Sequence, residues 1–406
     1  MYWLSFRKKI EQPVTGLILP GGGARNAYQA GVLKGIADML PADAGNPFKV
    51  ICGSSSGALN AVLLASNANR FQEGVNRLGG IWENFQVDKV FRTDNWSAFK
   101  SGLHWGLTFA SMGLFKSQPK SVLDNAPLRQ LLESHIRFAR IRQAIDSGAL
   151  RAVSVTASGY SSGMSVAFYE GTSDLVPWKR TRRIGLPTEL TLNHLMASAA
   201  IPVLFPAVKL RNEYFGDGSM RESAPLSPAL HMGANRLLII GVRNPRPDSP
   251  PADSARVPYP SFGHIAGYIF DNFFLDSLDA DIERMRRINH TVSETRDKRV
   301  EFKDTALRQI DYLMISPSRD IREIVARYVG NFPLSVRILL MGIGALAREG
   351  RPLMSYLLFD APYCKELMDL GYQDALDSRD QILHLLGYDE LIDEPGVSRA
   401  NTGLAE

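Results

Sequence analysis

The sequence has only two cysteines, Cys52 and Cys364, among its 406 residues. Neither belongs to a cluster of cysteine and histidine with the spacing of metal ligands, so we expect neither a disulfide framework nor a metal site. The formal net charge is +4. A mildly basic protein of this kind favours anionic surfaces, but it lacks the strong positive charge that nucleic-acid binding requires.

Long hydrophobic runs are also missing. The longest apolar stretch, residues 332–347, is interrupted by Arg337 and by glycine and proline, whereas a membrane-spanning helix needs about 20 predominantly apolar residues. Residues 1–13 carry their positive charges after a short apolar run and lack the apolar core of a signal peptide. We therefore expect a cytoplasmic protein, or one at the periphery of a membrane.

What the sequence does contain is a repeated pattern of short apolar run, turn and helix. Apolar runs at residues 15–20, 48–52, 151–157 and 236–242 have the length of buried strands. Helical spacing of apolar residues follows the first two runs. Strands that alternate with helices predict an α/β fold, in which a mainly parallel sheet carries helices on both faces.

Two changes of composition suggest how the chain is organised. Residues 243–254 are rich in proline, serine and aspartate and predict an irregular loop, which extends to residue 260. Beyond Ser316 and Pro317 strand patterns give way to helical ones. The sequence therefore predicts a tail at 1–13, a sheet domain at 14–316 and a helical extension at 317–406. The predicted helices of that extension are Ile321–Val329, Leu334–Arg348 and Asp374–Leu386.

The sequence GlySerSerSerGly at residues 53–57 matches Gly-x-Ser-x-Gly in one frame, which makes Ser55 its central residue. An apolar strand precedes it and an alanine-rich helix follows, as in a nucleophile elbow, where Gly53 and Gly57 remove side chains that would collide at the sharp turn. Ser56 is a candidate cap for the helix. The alternative is a serine and glycine loop that leads into a buried helix.

A glycine run, Gly21–Gly23, lies at the other strand-to-helix turn. Consecutive glycines let several backbone N–H groups face one concave space, which suits an anion or a developing oxyanion. A dinucleotide fingerprint would require glycine where Asn26 stands, so an oxyanion hole is the better interpretation. Arg25 follows the run and is open to three roles, which are to meet a phosphate, to brace the loop, or to lie solvated on the surface.

A serine hydroxyl needs a base to become a nucleophile. None of the seven histidines, at positions 104, 135, 194, 231, 264, 290 and 384, lies in an evident catalytic loop. Asp217 has the more suitable setting, because glycines on both sides let the backbone turn tightly and leave its carboxylate exposed. A simple tight turn is the alternative. A carboxylate base would need burial or an apolar site to raise its pKa.

Four blocks of residues occur in order, Gly21–Arg25, Gly53–Ala58, AlaSerAlaAlaIleProValLeuPhePro at 197–206, and Asp217–Ser219. Their combination closely resembles the patatin-like phospholipase family. The resemblance runs from about Thr15 to about Asn244 and extends loosely to residues 312–318.

The resemblance implies a three-layer α/β/α fold and a lipid acyl hydrolase with a Ser–Asp dyad. Ser55 would be the nucleophile and Asp217 the general base, and the region 14–316 would be the catalytic domain. Backbone N–H groups of Gly22, Gly23 and Ala24, in the loop Gly21–Arg25, would form the oxyanion hole. No metal or organic cofactor is implied. Two departures concern the loops, since the family usually has glycine at Asn26 and Gly or Ala at Ser219.

Three segments suggest how a lipid would be reached. Residues 102–115 are apolar, aromatic and broken by glycine, which suggests a mobile cap or a loop at an interface. The basic run 179–183 is either a headgroup contact or a solvated loop. The helix predicted at 334–348 is apolar nearly all round, so core packing is expected, with insertion into an interface as the alternative.

Other functions remain open at this level. The same dyad would make an acyltransferase if another alcohol replaced water. A Ser–His–Asp esterase and a catalytically silent lipid-binding or scaffold protein are further alternatives. The lipid headgroup, the positional preference and the oligomeric state are not encoded in any recognisable pattern.

Overall fold

The structure is a computed structural model that describes residues 13–92, 121, 123–244, 259–272, 276–296 and 307–392. The segment 102–115 and most of the proline-rich loop lie outside the described residues. The strands are β1 (Thr15–Leu19), β2 (Val50–Ser54), β3 (Ala152–Gly159), β4 (Ser165–Gly171), β5 (Trp178–Arg180), β6 (Arg183–Pro187), β7 (Val208–Leu210), β8 (Glu213–Asp217), β9 (Arg236–Ile240) and β10 (Asp311–Ile315). The α-helices are α1 (Ala27–Met39), α2 (Ser56–Ala65), α3 (Phe71–Glu83), α4 (Ala126–His135), α5 (Ala139–Asp146), α6 (Leu192–Ser198), α7 (Ser227–His231), α8 (Phe262–Asp271), α9 (Ser277–Arg296), α10 (Ile321–Val325), α11 (Leu334–Gly342), α12 (Arg351–Leu357), α13 (Ala361–Asp377) and α14 (Arg379–Leu386).

The described strands form one mixed sheet, in the order β10-β9-β1-β2-β3-β4-β6-β5, with β8 paired to β3 and β7 paired to β8. Its centre is parallel, because β10, β9, β1, β2 and β3 all run in one direction. Antiparallel pairing is confined to β3–β4, β3–β8, β5–β6 and β7–β8. The predicted α/β class with a mainly parallel sheet is confirmed.

Alternate residues of the central strands face two separate cores. Leu17 and Leu19 of β1 belong to one apolar cluster, and Ile18 between them belongs to the other. The first cluster includes side chains of α1, α2, α3 and α13. The second includes side chains of α7 and α9. Since successive residues of a strand point to opposite faces, the sheet lies between two helical layers, which is the three-layer arrangement expected.

The region after β10 is helical, as predicted, but its helices have different bounds. The helix predicted to reach Arg348 ends at Gly342, shortly before Gly344 with its left-handed φ of +70°. The helix predicted at 374–386 is two helices, α13 and α14, and α10 ends at Val325. Helix α13 packs along α1, so both sides of residue 316 share one core. The division at that residue stays a prediction.

Core packing was the wrong expectation for α11. Leu340 is buried, but Leu334 is 70% exposed and Met341 is 63% exposed. Helix α8 is similar, and its N-terminal end contacts the end of α11 through a hydrogen bond from the Gly263 N–H to the Ile343 carbonyl, 2.7 Å long. We call the exposed apolar side chains of this region the apolar face, which consists of Tyr259, Phe262, Ile265, Tyr268, Ile269, Leu334, Ile338, Leu339 and Met341.

In the part of the chain that the structure describes, no helix is both long and apolar enough to cross a bilayer.

The contact between α1 and α13 depends on two glycines that let the helix backbones touch. A Cβ at Gly31 would collide with the carbonyl of Met368, and one at Gly371 would collide with the carbonyl of Tyr28. Gly371→Ala is therefore expected to lower the free energy of unfolding by about 1–3 kcal/mol, because overpacking forces the helices apart. Urea denaturation measures this.

The matched control is Gly80→Ala in α3, where an added Cβ meets nothing within 4 Å. This substitution is expected to raise stability by up to about 1 kcal/mol, because alanine favours a helix interior over glycine. Equal effects of the two substitutions would show that the backbone contact between α1 and α13 does not limit packing.

Candidate active site

Strand β3 brings the two predicted reacting residues together. Strand β4 pairs along one edge of β3, from Ala152 to Ser158. The other edge is shared end to end, because Ser54 of β2 pairs with Thr156 and Asp217 of β8 pairs with the next residue, Ala157. The residue that follows Ser54 and the last residue of β8 therefore meet at one point of the sheet.

Ser55 lies on a sharp turn between β2 and α2. Its φ of 52° and ψ of −131° are unusual for a residue with a side chain, and such strain costs on the order of 1–3 kcal/mol. A Cβ at Gly53 would collide with the backbone of Gly57 and Ala58, and a Cβ at Gly57 would collide with the carbonyl of Leu19. The two glycines flanking the serine therefore fit the close packing of a nucleophile elbow.

The side chains of Ser55 and Asp217 are directly hydrogen-bonded. The Ser55 hydroxyl donates to Oδ2 of Asp217 over 2.6 Å, and the Ser219 N–H donates to Oδ1 over 2.9 Å. Asp217 is 1% exposed, so the expectation of an exposed carboxylate was wrong. Burial raises the pKa of Asp217 to about 7, against the opposing effect of the hydrogen bonds from Ser55 and Ser219.

Several of the described histidines interact with groups away from the Ser–Asp pair. His194 on α6 interacts with Thr191 in a capping box, and burial lowers its pKa to about 4. Nδ1 of His231 donates to the Ser227 carbonyl over 2.7 Å, and the ring of His384 contacts Asp389. Within the part of the chain that the structure describes, no histidine hydrogen-bonds to either member of the Ser–Asp pair.

The glycine loop follows β1 as a buried segment that ends in a 3₁₀ turn, Gly23–Asn26. Gly23 has a left-handed φ of 57°, and a Cβ there would collide with the Tyr356 carbonyl. The N–H groups of Gly23 and Ala24 have no acceptor within the turn, because the first N–H groups of a helix never do. The other two N–H groups already have acceptors within the protein. The Gly22 N–H donates to the Ser56 hydroxyl over 3.3 Å, and the Arg25 N–H donates to the Gly22 carbonyl over 3.1 Å. Gly21 is buried beside them.

Ser56 therefore links the two turns. Its hydroxyl accepts from the Gly22 N–H rather than capping α2, for which no side-chain cap is formed. The expected capping role of Ser56 was wrong. The consequence is that the glycine loop and the serine turn are held at a fixed separation.

Arg25 braces the loop from behind. Its side chain is 2% exposed, so the alternative of a solvated arginine is wrong. The guanidinium donates to Ser355 Oγ (2.8 Å), to Asp271 Oδ1 (3.1 Å) and to the Tyr356 hydroxyl (3.1 Å). It also lies over the Tyr356 ring, 3.9 Å from the centroid. Arg25 is thus directed toward α8 and α12 and is occupied there.

Asn26 takes part in a buried polar network. Its backbone is helical, with φ of −72°, so tolerance of a left-handed backbone does not explain why asparagine stands here. Its amide donates to the Pro20 carbonyl and to Gln29, each over 2.9 Å. Asn60 of α2 donates to the Asn26 carbonyl and to Gln29. This network joins α1 to α2 and adds a second tie between the two turns.

Two buried residues near the pair were missed at the sequence level. Ser198 accepts from the Ser55 N–H over 2.9 Å and donates to the Thr156 carbonyl over 2.6 Å. It lies within the 197–206 block, whose sequence predicts no role for this serine. Glu222 is 9% exposed and interacts with Ser54 and Thr156, and its charge opposes ionisation of Asp217. No local pattern around Glu222 distinguishes it.

The chemistry that this geometry allows follows from its parts. A strained serine contacts a buried carboxylate whose pKa lies near neutrality, so at that pH the carboxylate can accept the hydroxyl proton. The free N–H groups of the glycine loop lie on the neighbouring turn. Among the described residues there is no group of three or more His, Cys, Asp or Glu side chains that could hold a metal ion.

Known structures resemble the chain weakly. VipD from Legionella pneumophila is 12% identical, with a TM-score of 0.34, and the match covers 88% of this chain and 67% of that one. The type III effector ExoU is 14% identical, with a TM-score of 0.29 and coverage of 94% and 60%. At these values neither likeness bears on function.

Sequence comparison is more informative. The lysophospholipase nte1 of Aspergillus terreus is 37% identical over 84 residues, which are 19% of this chain and 5% of that protein. The enzyme of the same name from Aspergillus niger matches to the same extent, so the chain spans only a small part of these relatives. The model of the family described as patatin-like phospholipase matches residues 17–230, which is more than half of the chain and includes Ser55, Asp217 and the glycine loop. The chain therefore belongs to the patatin-like phospholipase family.

Proposed function

We propose that the protein is a serine hydrolase of lipid esters that works through a Ser–Asp dyad and an acyl-serine intermediate. The observation that carries this proposal is the 2.6 Å hydrogen bond between Ser55 Oγ and Asp217 Oδ2 at a strained, buried turn. A strained residue at a turn between strand and helix is typical of a nucleophile. Membership of the family supports the same assignment.

In the acylation step, Ser55 Oγ attacks the ester carbonyl carbon and its proton passes to Oδ2 of Asp217. The carbonyl oxygen becomes an oxyanion, which the N–H groups of Gly23 and Ala24 stabilise. Each such donor contributes on the order of 3–4 kcal/mol to the transition state. The tetrahedral intermediate collapses, the alcohol leaves with the proton from Asp217, and the acyl group stays on Ser55.

In the deacylation step, Asp217 takes a proton from water while the water oxygen attacks the acyl carbon. Collapse of the second tetrahedral intermediate returns the proton to Ser55 and releases a carboxylic acid. An alcohol in place of water would make the same site an acyltransferase. Hydrolysis is the simpler proposal because it needs no second binding site.

Lipid substrates are supported by the apolar face as well as by the family. The face combines aromatic and aliphatic side chains on two short helices, with Arg337 and Arg348 exposed on α11 and just after it. Tyrosine and phenylalanine favour the boundary between lipid headgroups and acyl chains, and arginine favours anionic headgroups. We propose that a lipid surface covers this face.

The position of the face is consistent with delivery of lipid to the dyad. Helix α8 carries four residues of this face along its length, and its last residue, Asp271, accepts a hydrogen bond from Arg25 of the glycine loop. One helix thus contacts both the proposed lipid surface and the proposed oxyanion hole. A membrane enzyme needs its reacting groups near the interface, and this arrangement provides that.

The first test is labelling with a fluorophosphonate probe. The wild type is expected to be labelled and to hydrolyse short esters, whereas Ser55→Ala is expected to lose both. Asp217→Asn is expected to fold and to lose about 10²–10⁴-fold in turnover, which is the usual contribution of a general base.

Ser54→Ala is the matched control for labelling, since Ser54 is the neighbour whose side chain faces Glu222 instead. It is expected to take up the probe. Labelling of Ser55→Ala to the wild-type extent would refute the assignment of the nucleophile. Loss of all turnover on replacement of a histidine, with the dyad intact, would favour the Ser–His–Asp alternative.

The second test uses the pKa of Asp217, which burial raises to about 7 from an ordinary 3.8. The base must be ionised, so kcat/KM is expected to fall as the pH decreases through about 7. Stability has the opposite dependence. The folded state binds a proton more tightly than the unfolded state, so the wild type is expected to lose stability as the pH rises from about 4 to 7.

Asp217→Asn removes that ionisation and provides the control. The variant is expected to be more stable than the wild type at pH 8 and to match it near pH 4, as measured by urea denaturation at both values. A difference in stability that does not change with pH would mean that Asp217 is not held at a raised pKa.

The third test concerns the apolar face. Phe262→Ser with Ile338→Ser is expected to weaken binding to phosphatidylglycerol vesicles at least about tenfold, because each buried side chain of this size contributes roughly 1.5–3 kcal/mol. Co-sedimentation measures the binding, and hydrolysis of a soluble ester is expected to stay unchanged.

Val176→Ser with Leu376→Ser is the matched control, since both residues are exposed and apolar but lie elsewhere. Vesicle binding by this control should equal that of the wild type. Retention of full binding by the Phe262 and Ile338 variant would exclude the face as the lipid contact. Equal binding by the wild type and the variant at low salt, lost by both at high salt, would point to the basic run 179–183 instead.

A further inference from the structure

A cavity of about 330 Å³ lies on the side of the sheet that is covered by α7 and α9. Its wall is formed by the β5–β6 hairpin, by α7, by one side of α9 and by the residues just before β10. Pockets for small ligands have volumes of about 300–1,000 Å³. None of the residues of the Ser–Asp dyad or of the glycine loop lines this cavity.

Four arginines line the cavity against one carboxylate, that of Asp281. They are Arg180, Arg183, Arg284 and Arg308. Both carboxylate oxygens of Asp281 already accept hydrogen bonds, one from the Leu226 N–H over 3.1 Å and one from Arg284 over 3.0 Å. The positive charge of the wall is therefore not neutralised by the protein.

Within the wall of the cavity, the two arginines of the β5–β6 hairpin are in the least favourable arrangement, because they repel each other. Arg180 and Arg183 are directly opposite each other in the β5–β6 register, so their side chains leave the sheet on the same side, and like charges in this position destabilise a strand pair. Neither forms an ion pair within the described residues. Burial lowers the pKa of Arg183; the charge of Asp281 opposes this effect, and the nearby charges of Arg284 and Arg180 add to it. An anion between these groups would relieve that repulsion.

The floor of the cavity is apolar. Leu226, Met285 and Ile310 are each no more than 5% exposed and line it together with Leu230. Met285 follows Arg284 on α9, so charged and apolar groups of one helix face the same space. Inorganic phosphate alone would leave the apolar floor uncovered.

We propose that this cavity binds a small anionic amphiphile, a molecule with a phosphate or carboxylate head and a short apolar group. The head lies between Arg180, Arg183 and Arg284, where planar guanidinium groups can form paired, charge-assisted hydrogen bonds. The apolar group covers the floor of leucine, methionine and isoleucine. The site is separate from the dyad and does not depend on hydrolysis.

The basic run 179–183 thereby divides into two parts. Arg180 and Arg183 line the cavity, whereas Arg182 lies at the tip of the hairpin, exposed and with a φ of 57°. This division supplies a matched pair of variants, because Arg183→Met and Arg182→Met each remove one charge from the same hairpin. Only the first removes it from the cavity.

The test measures binding to the full chain by isothermal titration calorimetry. The ligands are octyl phosphate, octanoate, inorganic phosphate and neutral octyl glucoside. Octyl phosphate is expected to bind at least about tenfold more tightly than inorganic phosphate, since burial of its methylene groups adds to the interaction of the head. Octyl glucoside is expected not to bind. Comparison of octanoate with octyl phosphate tells which head is preferred.

Arg183→Met is expected to weaken octyl phosphate binding at least about tenfold, with Arg182→Met close to the wild type. If Arg183→Met does not fold, as judged by its thermal transition, Arg180→Met replaces it, since Arg180 is exposed.

Equal affinity in the wild type and the cavity variants, or equal losses in the cavity and control variants, would overturn the proposal. Equal affinity for octyl phosphate and inorganic phosphate would reduce the site to one for free phosphate. Hydrolysis of a soluble ester by Arg183→Met keeps this outcome separate from that of the proposed dyad.

Discussion

The rest of the site depends on how one edge of β3 is divided. Strand β2 occupies the edge as far as Thr156, and β8 takes it over at Ala157, running in the opposite direction. Strands β2 and β8 therefore end at the same place, and the segments that follow them leave the sheet there. A shift of one residue in the β3–β8 register would turn Asp217 to the other face of the sheet. The short hydrogen bond between Ser55 and Asp217 is a result of this pairing, and the ties through Ser198 and Ser56 keep the surrounding turns from moving apart.

Local patterns predicted the correct fold class and the sharp turn at Ser55 for a clear physical reason. A chain that turns sharply between a strand and a helix needs glycine on both sides of the turn, and that need is visible in the sequence at Gly53 and Gly57. The burial of Asp217 was not visible, because it depends on segments that are distant in the chain. The same holds for Arg25, whose charge is accommodated only by partners from α8 and α12. In α11 the apolar residues are evident from the sequence, but no local pattern tells whether another element of the fold covers them.

The buried carboxylate illustrates a conflict between stability and function. A carboxylate in contact with water would have a lower pKa and would be a weaker base. Burial at Asp217 makes it a better base, and it also makes the ionised form costly to keep inside the folded protein. The surrounding hydrogen bonds reduce this cost without removing it. The strained backbone of Ser55 adds a second unfavourable contribution at the same place, so the well-packed sheet and the helices on its two faces must compensate for both.

The contacts of Arg25 have a consequence for how the protein is made. Its partners follow it in the chain by 246 residues for Asp271, 330 for Ser355 and 331 for Tyr356. During synthesis the glycine loop therefore emerges long before the groups that hold it, while the first strands and α1 are already available to fold. A nascent or truncated chain that ends after the central sheet would contain Ser55 and Asp217. It would lack the residues of α8 and α12 that anchor the glycine loop through Arg25. Assembly of the site is thereby coupled to synthesis of the chain as far as α12.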